Sequence, residues 1–128
     1  MLQSSFPGLG TTPTNELGQT ASGATFGQIH IDFTARTAQL ASPTSVTFPT
    51  QGWLFSPATG SIQIQGGGAF FRLDSSVTCV GPGCNQASGV GRHAGIFIGP
   101  NGDHAGVSIG ASAGTSNFNT VRIYCPTC

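Results

Sequence analysis

A chain of 128 residues with 6% charged residues and a formal net charge of zero suits one domain, without the basic surface of a nucleic-acid-binding protein. Its four basic residues are all arginine, so polar uncharged side chains must provide most of the solubility. No segment approaches the roughly 18 to 20 apolar residues that span a bilayer, and the sequence therefore predicts no membrane span. Twenty glycines and many Ser and Thr residues favour an extracellular, cell-surface or periplasmic protein.

The N-terminal region, residues 1–23, is rich in Pro, Gly, Thr and Ser. This composition predicts an extended arm or linker rather than a packed element. The region has neither the basic stretch nor the apolar stretch of a signal peptide, so we expect a mature form or an excised fragment. Residues 24–128 are expected to form a single β-barrel-like domain.

From residue 24 onward, apolar residues recur at every second position, which is the period of a half-buried β-strand. Runs of this kind lie at residues 29–33, 37–41, 46–48, 53–55, 62–64, 69–73, 96–98, 107–109 and 121–123. The cluster of glycines at residues 66–68 predicts a sharp bend or a close approach of the backbone. The sequence therefore predicts an all-β fold, a small antiparallel meander barrel or sandwich of about seven or eight strands.

The four cysteines form two close pairs, and we expect the first pair to lie in a loop over residues 75–91. Cys79 and Cys84 enclose Val-Gly-Pro-Gly, while Cys125 and Cys128 enclose Pro-Thr. Four cysteines allow three disulfide pairings, and a Gly-Pro-Gly turn suits a local disulfide that closes a loop. Disulfides are therefore favoured, and a tetrahedral zinc site or free thiols are the alternatives.

The stretch GIFIGPNGDHAGVSIG, residues 95–110, holds a predicted hairpin turn, because Asn-Gly accepts positive φ at both positions. The turn consists of Pro100, Asn101, Gly102 and Asp103. A phosphate-binding loop would need a helix after the glycines, and an alternating apolar run follows instead. His93 and His104 flank the turn and are weak candidates for a metal or haem site. The favoured alternative is a pair of exposed surface histidines.

Acid–base catalysis is poorly supported, because it needs two carboxylates in one cleft or a Ser-His-Asp set. The chain has four acidic residues, and Glu16 lies in the predicted arm. The sequence has no Gly-x-Ser-x-Gly motif. We therefore expect no enzymatic activity and no cofactor.

Two apolar stretches place hydrophobic groups on both faces of the predicted sheet. They are Phe70-Phe71 and Ile96-Phe97-Ile98. An apolar outer face must be covered by the arm, by a second copy or by a partner. The candidate interface residues are Phe6, Trp53, Phe70 and Phe97.

Three stretches together resemble the β-barrel domain of transferrin-binding-protein-B-like bacterial surface lipoproteins. They are GQIHIDFTARTAQL (27–40), GSIQIQGGGAFFRL (60–73) and GRHAGIFIGPNGDHAGVSI (91–109). The chain departs from that family because no lipid-carrying cysteine precedes Cys79 and because it is too short for an additional handle domain. Transferrin binding is therefore not implied. The resemblance implies a non-enzymatic binding barrel at the cell surface or in the periplasm.

Two hypotheses of function follow. The first is a binding module of a bacterial cell-envelope or surface protein that recognises a protein partner or a small ligand. The alternative is a self-assembling extracellular subunit, such as a filament or surface-layer component. In that case residues 1–23 would add a strand to a neighbouring subunit.

Overall fold

The computed structural model describes residues 1–99 and 103–128, and all regular secondary structure in this part is β-strand. All pairs of strands are antiparallel, which confirms the predicted all-β antiparallel fold. The strands are β1 (Thr14–Asn15), β2 (Gly23–Thr25), β3 (Ile29–Asp32), β4 (Thr37–Leu40), β5 (Ser45–Phe48), β6 (Gln51–Phe55), β7 (Ala58–Gln65), β8 (Gly68–Val80), β9 (Ser88–Ile98), β10 (His104–Ala113) and β11 (Ser116–Tyr124).

Six of the strands are the halves of three bent strands, formed by β2 with β3, β4 with β5, and β6 with β7. Strand β3 pairs with β4 while β2 pairs with β5. Strand β4 pairs with β7 while β5 pairs with β6, and both β6 and β7 pair with β8. The structure has eleven strands rather than the predicted seven or eight because three strands are bent and counted twice. With each bent strand counted once, the meander has eight strands.

The N-terminal segment, residues 1–15, closes the sheet into a ring. Leu2 exchanges two backbone hydrogen bonds with Ile29 of β3, at 2.7 and 2.8 Å. Gln3 exchanges two with Cys125, at 2.9 and 3.1 Å, and β1 pairs with β11. The segment is extended, but it packs against its own chain, whereas its composition predicted an arm or linker without packing. Because it bonds to its own chain on both sides, it belongs to the barrel wall in this structure.

The side chain of Arg122 ties the N-terminal segment to β11 from inside the barrel. Arg122 is buried, and its Nη1 donates to the carbonyl oxygen of Thr11 at 2.9 Å. Its Nη2 donates to the carbonyl oxygen of Ser5 at 2.5 Å. The guanidinium carbon lies 4.7 Å from the ring centroid of Phe26. Carbonyl dipoles and an aromatic face therefore stabilise this buried cation.

Polar side chains replace sheet hydrogen bonds where the strand bends at Gly27, between β2 and β3. The Gly27 N–H donates to Thr44 Oγ1 at 2.8 Å, and its carbonyl accepts the Tyr124 hydroxyl at 3.0 Å. A Cβ on Gly27 would lie 2.0 Å from the Ser42 carbonyl oxygen, so no other residue fits there. Buried backbone groups need hydrogen-bond partners, and at this bend the side chains of Thr44 and Tyr124 provide them from inside the barrel.

The interior of the barrel is filled with side chains, as expected for a ring of about eight strands. The largest buried residues include Trp53, Phe55, Phe71 and Tyr124. Glycines on the inner face of β9 make room for two of these rings. A Cβ on Gly95 would lie 2.3 Å from the Phe71 ring, and a Cβ on Gly91 would lie 2.5 Å from the Phe55 ring.

Two local predictions differ from the structure. Gly66 and Gly67 form a two-residue hairpin turn between β7 and β8, with φ of 57° and 81°, rather than a bend within one strand. The predicted loop 75–91 is mostly strand, because β8 continues to Val80 and β9 begins at Ser88. In the first part of this segment the buried positions are Ser75, Val77 and Cys79. Because the first of them is a serine, the alternation of apolar and polar residues is not visible in the sequence.

Replacing Gly95 with alanine should destabilise the protein by about 1 to 3 kcal/mol, because the new methyl group overlaps the Phe71 ring. Urea unfolding followed by Trp53 fluorescence measures this loss. The matched control is Gly106→Ala, since a Cβ on Gly106 of β10 would make only ordinary contacts at 3.6 Å or more. Equal stability of the two variants would contradict the proposed role of the inner-face glycines.

Candidate functional site

An open groove follows β10 on the outer face of the barrel. Beyond His104 the outward residues of β10 are small, and the groove is lined there by Gly106, Ser108, Gly110 and Ser112. Larger side chains on β8, β9 and β11 form its sides. Because successive residues of a strand point to opposite faces, the alternation that fills the interior also builds this outer surface.

One end of the groove is apolar and has a volume of about 490 Å³. Phe70 of β8 lies opposite Ile96 of β9, which in turn lies opposite Gly106. Val121 of β11 lies in the adjoining row, opposite Ser108. Ile96 is 62% exposed and Val121 is 51% exposed. Phe70 is partly buried. Together the three side chains line one partly exposed apolar patch, the Phe70–Ile96–Val121 cluster.

The other end of the groove mixes polar groups with apolar ones such as Val90 and has a volume of about 760 Å³. Its lining includes Asp74, Arg92, Asn117 and Asn119. The two ends share Ala94 and Ser108, so they form one continuous surface. A ligand that fills the groove would therefore contact aliphatic side chains at one end and hydrogen-bonding groups at the other.

Two guanidinium groups share one carboxylate beside the groove. Arg92 Nε donates to Asp74 Oδ1 at 2.9 Å, and Arg72 Nε donates to Asp74 Oδ2 at 3.1 Å. The hydrogen bond from Arg92 is the largest cause of the lowered pKa of Asp74. All three side chains are more than half exposed, so the cluster adds little stability. It leaves one positive charge in excess at the groove.

The two candidate metal-binding histidines lie apart, on opposite faces of the sheet. His93 points into the barrel, is 0% exposed, and its Nε2 lies 2.8 Å from Thr44 Oγ1. His104 is exposed and pairs with Ile98, which lies five residues from His93 along β9. The prediction that both histidines lie on the surface was wrong for His93. The local sequence does not show which face of the sheet a histidine occupies, so the burial of His93 could not be predicted from it.

Part of the predicted hairpin turn, Pro100, Asn101 and Gly102, lies outside the described residues. Asp103 follows it and accepts a hydrogen bond from His104 Nδ1 at 3.0 Å. This bond is the main cause of the lowered pKa of Asp103. The pair is exposed, and β9 and β10 on the two sides of the turn pair with each other, as the hairpin prediction requires.

The four cysteines form two local disulfides, which confirms the favoured prediction. Cys79 is bonded to Cys84, and Cys125 is bonded to Cys128. Cys79 pairs in the sheet with Trp53, whereas Cys125 pairs with Gln3. The two cysteine pairs therefore lie at different places on the barrel and do not converge on one zinc site. In the part of the chain that the structure describes, no group of three or more His, Cys, Asp or Glu side chains is placed to hold a metal ion.

The four candidate interface residues have different positions. Trp53 is only 1% exposed in the core, so its assignment to a surface was wrong. Phe97 also points inward and packs against Phe71, with ring centroids 5.5 Å apart. Phe70 lines the outer groove, while Phe6 lies in the N-terminal segment, half-buried against the core. The prediction that Phe97 faces outward was therefore wrong by one residue along the strand, and the outward residue next to it is Ile96.

The chain was compared with protein-family models, curated proteins and solved structures, and none of these matched it. Among the described residues, no helix is long and apolar enough to cross a membrane. Evidence for function therefore comes from the chain's own geometry.

Acid should destabilise the fold through His93. Burial lowers the pKa of His93 to about 4 from 6.5, so protonation favours the unfolded chain. The contribution of neutral His93 to the free energy of unfolding is fully present above pH 6.5 and is lost as the pH falls towards 4. Between pH 7.5 and pH 5 we expect a loss of about 2 kcal/mol in the free energy of unfolding, measured by urea titration.

The variant His93→Gln should remove most of this pH dependence, whatever its own stability. The variant His30→Gln, at an exposed position, is the control and should keep it. A wild-type stability that is flat from pH 7.5 to pH 5 would show that His93 is not buried in its neutral form.

Proposed function

We propose that this chain is a non-enzymatic binding module of a bacterial cell-envelope or surface protein and that it recognises a protein partner through the outer groove. The observation that carries the proposal is the partly exposed Phe70–Ile96–Val121 cluster next to the Arg72–Asp74–Arg92 group. Exposed apolar patches bordered by polar residues mark interaction sites. The resemblance to barrel domains of surface lipoproteins remains a prediction that agrees with this function.

The filled interior favours recognition on the outside of the barrel. Small-molecule sites are usually concave and bury most of the ligand. Here the interior positions are taken by Trp53, Phe55, Phe71 and Tyr124. An open groove on the sheet suits the surface of another macromolecule better than a small ligand.

Both disulfides support a location outside the cytoplasm, because thiols are kept reduced in most cytosols. The extracellular or periplasmic setting inferred from composition agrees with them.

The alternative, a self-assembling subunit, needs residues 1–23 to be available for a neighbouring copy. In the structure Leu2 and Gln3 bond to β3 and to Cys125, and β1 bonds to β11. Strand addition between copies would have to break these bonds. Low charge and apolar strands with two faces still support this alternative, but the extended N-terminal segment is bonded within its own chain.

A photoreactive residue in the groove should capture the partner. We would place p-benzoylphenylalanine at position 96 or 121 of the full-length protein in the cells that make it, irradiate them, and identify adducts by mass spectrometry. Both positions should give the same discrete heterologous adduct. The affinity of the identified partner should then fall at least tenfold in the variant Val121→Lys, because a charge enters the apolar contact.

The matched control is position 80, since Val80 is also an exposed valine of the outer face, at 66%, but does not line the groove. The photoreactive residue there should give no such adduct, and Val80→Lys should bind normally. Adducts between two copies of the chain would support the self-assembling subunit. A partner that tolerates Val121→Lys would overturn the proposed site.

A further inference from the structure

The closed ring restricts how a partner can bind. A partner peptide commonly adds a strand to a free sheet edge through backbone hydrogen bonds. Here β11 has β10 on one side and the N-terminal segment on the other, and β3 lies between β4 and Leu2. A partner at the outer groove must therefore be held by side-chain contacts on the face of the sheet.

The spacing of residues along the groove sets the spacing expected in the partner. Side chains on one face of a strand are two residues apart, or about 7 Å. Arg72 follows Phe70 by one such step on β8. Arg92 is two such steps from Ile96 on β9, or about 13 Å. Positive charge therefore lies about 7 to 13 Å from the apolar cluster.

The charge of the groove is only partly compensated by the chain itself. Arg72 and Arg92 each use Nε to bond the single carboxylate of Asp74. Guanidinium groups bind carboxylates in pairs of parallel hydrogen bonds, and both side chains are exposed enough to make another such contact. One further carboxylate would balance the cluster.

We infer that the groove binds an extended segment of a partner protein that carries an aliphatic side chain and a carboxylate two to four residues apart. The aliphatic side chain lies in the Phe70–Ile96–Val121 cluster, and the carboxylate reaches Arg72 or Arg92. An extended chain advances about 3.3 Å per residue, so two to four residues match the spacing of the groove. This inference rests on the proposed function and adds the chemistry of the partner.

A second copy of this chain is a poorer occupant, because its acidic groups already have partners. Glu16 accepts hydrogen bonds from Gln51 Nε2 and the Asn117 N–H. Asp32 accepts the Ala35 N–H at 3.0 Å, and Asp103 is bonded to His104. A free carboxylate is more readily supplied by a different protein.

A random nonapeptide display library, selected on the full chain, tests the inference. Counter-selection on Val121→Lys would remove peptides that bind elsewhere. The retained sequences should show an aliphatic residue with Asp or Glu two to four positions away. Binding of such a synthetic peptide, measured by fluorescence anisotropy, should fall about tenfold in the double variant Arg72→Gln/Arg92→Gln, which loses charge-assisted hydrogen bonds.

The variant Arg36→Gln, at the exposed turn between β3 and β4, is the control and should bind normally. Peptides that need Val121 but show no acidic preference, or that tolerate the double arginine variant, would overturn this inference and leave the proposed groove intact. If every selected peptide also binds the Val121→Lys variant, or if no peptide binds at all, the result would count against both this inference and the proposed groove.

Discussion

The backbone hydrogen bonds between the N-terminal segment and β11 are the constraint on which the rest of the structure depends. They convert a curled meander into a ring, with Leu2 completing it on the side of β3. The segment protects the edge of β11 in a chain that has no lysine to discourage pairing with other sheets. It also places the carbonyl groups of Ser5 and Thr11 over Arg122, where they stabilise a cation without a carboxylate partner.

The packed interior and the outer groove both result from the alternation of side chains between the two faces of each strand. On β9 the inward positions hold Gly91, His93 and Gly95, and the glycines admit the rings of neighbouring strands. The outward positions of the same strand supply Arg92 and Ile96 to the groove. A shift of register by one residue would place the arginine inside and expose the histidine. The packed core thus holds the proposed recognition surface in place.

The filled barrel and its partly exposed outer patch are the basis of the proposed recognition of another protein. In that proposal the apolar cluster would supply contact area, and the two arginines would supply direction and selectivity. The disulfides act locally, since each closes a short loop at a different place on the ring. They are compatible with an oxidising environment and leave the groove free.

Residues close in sequence carried much of the fold: the period of two predicted an antiparallel meander of about eight strands, and the close cysteine pairs with their Gly-Pro-Gly turn favoured local disulfides. The sequence also marked Phe70 as one side of an apolar stretch with two faces. Only the tertiary structure decided that residues 1–15 close the barrel, that Trp53, His93 and Phe97 point inward, and that Phe70, Ile96 and Val121 line one outer groove. These outcomes depend on register and on pairing between distant strands, which local patterns do not encode.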